Sequence, residues 1–169
     1  MRANERVSLA AVHDRKGAIR YELRSTQQDL LEALDRVGPT DWERPSPNEG
    51  WTIRHLLTHL STSEHGFVGT VRRMAAGEGG VPADFDPNRW NAGQQRRHAE
   101  VDPIEMRQRL EAAHAEILEV LDSLDDRGLD QRGYLSTGQE GSTEDCFRLL
   151  ASHKRAHTDD IRAALSLAV

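Results

Sequence analysis

Ser152-His153-Lys154-Arg155-Ala156-His157-Thr158-Asp159-Asp160-Ile161 lies close to the end of a 169-residue chain and carries two histidines four positions apart. On an α-helix such residues stand one above the other, about 5–6 Å apart at Cβ, so both imidazoles can reach one point. Cys146, Leu149, Leu150, Ile161, Ala164 and Leu165 repeat around them at helical spacing, and His153 and His157 complete the same stripe. The stretch therefore reads as an amphipathic helix whose core-facing side holds two imidazoles. Imidazoles there need polar partners, and a shared divalent cation would satisfy both at once.

Working back from this helix, Ser142 and Asp145 form the capping box that opens it. Residues 125–140, punctuated by Gly128, Gly133 and Gly138, read as a long connector. Before it, Met106, Leu110, Ala113, Ile117, Leu121 and Leu124 step by three and four behind Asp102-Pro103, an N-cap followed by proline at the first helical position. The polar segment 90–100 predicts a short helix, and 81–91 a long loop holding Phe85 and Trp90. Ile53, Leu56, Leu57, Leu60, Phe67, Val68, Val71 and Met74 mark the buried face of a helix over 52–76, stopped by Gly77, Gly79 and Gly80. Trp42, Pro45, Pro47 and Gly50 make 40–50 a connector, and Ile19, Leu23, Leu30, Leu34 and Val37 predict a helix over 16–37 ended by Gly38-Pro39. Residues 1–13 carry no pattern and are expected to be an N-terminal arm or short helix. Four long amphipathic helices without strand-length alternation predict an all-α four-helix bundle over 14–169, with long connectors between helices 2 and 3 and between helices 3 and 4.

Composition narrows the function. The chain suits one domain. Acidic residues outnumber basic ones by 28 to 22, and the net charge of −6 leaves no nucleic-acid footprint. Cys146 is the single cysteine, which excludes an intrachain disulfide and a thiolate-rich metal site. With no long uncharged apolar run and no signal-peptide core in 1–13, the expectation is a cytoplasmic protein without membrane contact.

A third ligand for the C-terminal pair is sought on another helix. His59, in Trp51-Thr52-Ile53-Arg54-His55-Leu56-Leu57-Thr58-His59, lies on the margin of the buried stripe, whereas His55 falls toward the polar side. A site of His59, His153 and His157 would leave coordination positions open, as in a catalytic rather than a structural metal centre. Asp160 is the candidate to orient a ligand imidazole, and Asp160 or Glu64 could serve as a base. Asn91 is a candidate for the pocket rim, and Trp51, Phe85 and Trp90 for core or pocket wall. His13, His65, His98 and His114 read as surface or structural residues, Cys146 as a small core hydrophobe, and residues 94–97 as a solvated face. Glu111-Ala112-Ala113-His114 matches half of a di-iron carboxylate motif, but no second such pair faces a core stripe.

Trp51 eight residues before His59, with His153 and His157 near the C-terminus (153 − 59 = 94), resembles the DinB superfamily, which includes the mycothiol-dependent maleylpyruvate isomerase and bacillithiol transferase types. The Asp84-Phe85-Asp86 and Arg89-Trp90-Asn91 loop is similar to one seen in some members. The resemblance spans 14–169 and implies a four-helix bundle, a three-histidine divalent-metal site and, in many members, a homodimer. Where many members carry glutamine three residues after the last histidine, this chain has Asp160. The function so implied is a metal-dependent enzyme (Zn, Ni or Fe) that acts on a small molecule through a low-molecular-weight thiol such as mycothiol or bacillithiol, as an S-transferase or isomerase. A metal-dependent hydrolase and a non-enzymatic metal-binding stress-response protein are the alternatives.

Overall fold

The computed structural model of the protein describes the backbone of residues 3–166 and the side chains of residues 15–166. Along the chain come α1 (Ala3–Leu34), α2 (Ile53–Ala75), α3 (Pro87–Arg97), α4 (Pro103–Ser123), α5 (Asp126–Asp130), β1 (Arg132–Tyr134), β2 (Glu140–Ser142) and α6 (Thr143–Ser166). The four long helices form the bundle: α1 lies along α6, α2 along α4, and α2 also faces α6. The architecture is all-α, as the periodicity predicts. The arm expected over 1–13 falls on residues whose side chains lie outside the described ones.

Local chemistry sets the helix starts. Asp102 accepts from Ile104 N at 2.7 Å ahead of Pro103. Ser142 and Asp145 exchange hydrogen bonds, Ser142 N to Asp145 Oδ2 at 2.8 Å and Asp145 N to Ser142 Oγ at 3.1 Å. The short helix expected over 90–100 instead begins at Pro87, because Asp86 caps Asn88 N and Arg89 N. Asp86-Pro87 is the same start signal as Asp102-Pro103.

The connector over 125–140 is more ordered than expected. It holds α5 and an antiparallel hairpin pairing Arg132 with Ser142, Gly133 with Gly141 and Tyr134 with Glu140. Strands of three residues are too short to show alternation in a sequence. The hairpin pins the preceding loop: Val81 N donates to Tyr134 O at 2.8 Å. A Cβ on Gly80 would lie 1.9 Å from Tyr134 O, and one on Gly133 would lie 2.4 Å from Gly80 N. Only glycine permits that approach.

The core divides into two apolar clusters. One contains Ile19, Leu23, Val68, Val71, Ile117, Phe147 and Leu150, the other Leu30, Ile53, Leu56, Leu57, Leu110 and Ile161. Between them each long helix contributes a buried polar side chain: Gln27, Glu64, His114 and Lys154. Lys154 Nζ lies 2.8 Å from both carboxylate oxygens of Glu64 and 2.6 Å from Gln27 Oε1. His114 Nδ1 lies 2.9 Å from Glu64 Oε1. Burial pulls the Lys154 ammonium below its usual range, while Glu64 holds the charge in place.

This layer corrects the expected stripe on α6. Cys146, Leu150, Lys154, Thr158, Ile161 and Ala164 are buried, whereas His153 and His157 stand one position off it, half-buried. On α2 the stripe runs through Glu64, which is fully buried and bonded to Lys154 and His114 rather than to the imidazoles of His59, His153 and His157. His114 is structural.

Candidate metal centre

The rotation of α6 that sends Lys154 into the core turns His153 and His157 toward the flank of α2, where His59 waits. His59 Nε2 and His153 Nε2 lie 2.7 Å apart. All three ring pairs meet edge to face, with centroids 4.7 to 4.8 Å apart. One ring nitrogen from each lies within 4.8 Å of the others. His55 stays apart, because its Nδ1 accepts from Thr52 N at 3.0 Å at the start of α2.

The surrounding bonds fix which nitrogens are free. Asp160 Oδ2 is 2.9 Å from His157 Nδ1 and also accepts from Asn48 Nδ2 at 2.7 Å. A carboxylate only accepts, so Nδ1 carries a hydrogen and Nε2 is the nitrogen left for a metal. His59 Nδ1 lies 3.3 Å from Ser63 Oγ. His153 Nδ1 is buried without a partner among the described residues. In the metal-free chain the two facing Nε2 atoms can share one hydrogen. A cation among the three rings would take a lone pair from each instead, and ring nitrogens gathered within 4.8 Å of one another fit a divalent metal ion.

Electrostatics keeps the donors ready. Burial pushes the His59 imidazole down to about 4, helped by nearby His157 and opposed by a hydrogen bond that the ring donates to Asn91. Burial pushes His153 down to about 3, with His59, His157 and Lys154 adding to it. Both are neutral at pH 7 and hold lone pairs without first losing a proton.

Beside the imidazoles lies a cavity of about 430 Å³, walled by Phe67, Val81, Pro82, Phe85, Trp90 and Leu149. His59, His153 and Asn91 open onto it. Trp51 packs edge-on against His59, with centroids 5.1 Å apart, outside the cavity wall. Cys146 is buried and its thiol is pushed up to about 12 by burial, so it is core rather than nucleophile. Sequence reasoning missed the polar floor of Ser63, Thr70 and Arg73 and the hairpin-turn residues Ser136 and Thr137. Ser63, Thr70 and Arg73 follow His59 at successive steps of four, seven and three on one helical face, a signal that was available.

A family model of the DinB superfamily matches residues 22–161. The chain belongs to the DinB superfamily. No curated protein matches its sequence. Among solved structures, this DinB-superfamily chain is similar to the mycothiol-dependent maleylpyruvate isomerase, with a TM-score of 0.74 and 15% identity. That match covers 89% of this chain and 60% of the isomerase, so the chain spans less than two thirds of that relative's length. It is also similar to YfiT from Bacillus subtilis, described as a probable metal-dependent hydrolase with an unusual four-helix bundle topology. Here the TM-score is 0.71 at 19% identity, over 90% of this chain and 89% of YfiT. These likenesses show the fold. Among the described residues no helix is long and apolar enough to cross a membrane.

Proposed function

We propose that this DinB-superfamily protein is a divalent-metal enzyme, with His59, His153 and His157 as ligands of Zn, Ni or Fe, and that its nucleophile is a low-molecular-weight thiol. The observation that carries the reading is the chemistry of the cavity wall: the neutral imidazoles of His59 and His153 open onto it, His157 stands against them, and among the described residues no Asp or Glu lines it. Glu64 is committed to Lys154, and Asp160 to His157 and Asn48. A water attacking there would lack a carboxylate base, whereas a thiol, ordinarily about 8.5 in pKa, needs only the field of a cation to be ionised. A divalent ion in this site would lower the pKa of a thiol or water beside it, so that the nucleophile exists at neutral pH. Asp160 holds the His157 ring in one tautomer, Asn91 bonds His59, and an aromatic wall lines the space an electrophile would enter. With Cys146 buried, the thiol comes from a small molecule, mycothiol or bacillithiol being the first to try.

A homodimer in a cytoplasmic setting belongs to the same proposal. The likeness to YfiT over nearly the full length of both chains favours a second reading, metal-dependent hydrolysis. Metal-loaded protein mixed with mycothiol, bacillithiol or glutathione and maleylpyruvate or another electrophile separates them. Thiol-dependent turnover above a His59→Ala/His153→Ala/His157→Ala control is expected. Hydrolysis of esters or amides with no thiol requirement would move the assignment to the second reading.

A further inference from the structure

The cavity is asymmetric in charge. Among the described residues lining it, Arg73 is the one permanently charged side chain. Its Nε donates to Gly80 O at 3.3 Å and an Nη donates to Thr70 Oγ1 at 3.4 Å. Arg73 makes no ion pair among the described residues, whereas its neighbour Arg72 pairs with Glu116 at 3.2 Å. The guanidinium is therefore anchored by neutral acceptors while its charge is left uncompensated. Two neutral acceptors use only part of its five-donor fork.

Position matters as much as charge. His59, Ser63, Gly66, Thr70 and Arg73 run down one face of α2 as the cavity floor. Thr70, onto which the guanidinium folds, lies eleven residues beyond His59 (70 − 59), roughly 16 Å along the helix axis. Between them the wall is Phe67, Phe85, Trp90 and Leu149. A cavity of about 430 Å³ is of the size that encloses a small organic ligand.

We propose that this cavity takes an elongated, mainly apolar molecule that carries an anionic group, such as a carboxylate, at the end remote from the imidazoles, and that Arg73 recognises that group. The inference rests on the reading of the imidazole cluster as the reacting end. A competing role for Arg73 is to sit in the last turn of α2 and offset the helix dipole. Arg72 occupies the same turn, and a dipole role gives no ligand preference.

Binding of decanoate, decanol and decyltrimethylammonium tests this, followed by calorimetry and by the fluorescence of the wall residue Trp90. The titrations use protein as purified and after metal removal, so the head-group preference is read whether or not the imidazoles hold an ion. Decanoate should bind about fivefold more tightly than decanol, the scale of one solvent-accessible ion pair, and the ammonium most weakly. Arg73→Met should abolish the preference and leave decanol binding unchanged. Arg73→Gln, which keeps a hydrogen-bond donor and guards against a folding defect, should do the same, and Arg73→Lys should keep part of the preference. Equal binding of decanoate and decanol, no binding of either, or an acid preference that survives both neutral substitutions overturns the proposal. Loss of metal binding alone would overturn the metal reading and leave the charge preference intact.

Discussion

His153 and Lys154 are neighbours in the chain, and so are Ser63 and Glu64, yet each pair divides between two polar clusters of opposite character. Lys154 and Glu64 enter the core, where with Gln27 and His114 they close a network in which positive and negative charge meet directly. His153 and Ser63 face the cavity, where imidazole nitrogens crowd together and one has no partner. A polar cluster in which opposite charges meet has no need of a ligand. One in which ring nitrogens converge with no opposite charge among them offers a place for a cation.

The largest effect should come from breaking the closed cluster. Glu64→Leu leaves the Lys154 ammonium buried without its carboxylate partner and should cost about 3–5 kcal/mol in urea unfolding. Glu64→Leu combined with Lys154→Met should recover most of that, because a hydrophobic replacement of both partners removes the unpaired charge. If the double variant were as unstable as the single, the layer would be more than a self-satisfied pair.

The open cluster should respond through its ligand instead. Asp160→Asn removes the carboxylate that fixes the His157 ring and should weaken divalent-metal affinity by about 10–100-fold with little change in metal-free stability. An unchanged metal titration would show that the carboxylate is not what holds the ring in place.

The response to pH has a definite sign. His59 and His153 sit at about 4 and about 3 in the folded chain, below their ordinary 6.5. As pH falls below about 6.5, the unfolded chain takes up these protons first, so metal-free stability is full above that value and declines toward pH 4 and 3. Thermal melting at pH 7.5 and 5 should show the decline, and His153→Asn should reduce it. A melting temperature flat across that range would contradict the burial of these rings.

The smallest expected signal is at Cys146. With its thiol pushed up to about 12, native protein at pH 8 should not react with a thiol reagent until unfolded. Reaction at the rate of a free thiol would place a reactive group two turns from His153.

The bundle was legible in the sequence because its apolar steps of three and four are long and regular, and its starts at Asp102-Pro103 and Ser142-Asp145 carry cap chemistry. The imidazole cluster was legible from spacing on two helices. The polar layer was harder to read: it appears only as a gap in each apolar ladder, filled by Gln27, Glu64, His114 and Lys154, and charged residues in a stripe read as surface until their partners are known. Missing those gaps placed His153 and His157 on the core stripe, one position from where they stand. The hairpin and the docked loop were invisible because they rest on backbone approach at Gly80 and Gly133, which leaves no periodic trace.

Metal content measured on protein purified without a histidine tag tests the central claim most directly. About one divalent ion per chain is predicted for the native protein and for the Glu64→Leu/Lys154→Met variant, and none for His59→Ala, His153→Ala or His157→Ala. Full metal retention in the histidine variants, or none in the native protein under any divalent-ion loading, would contradict it.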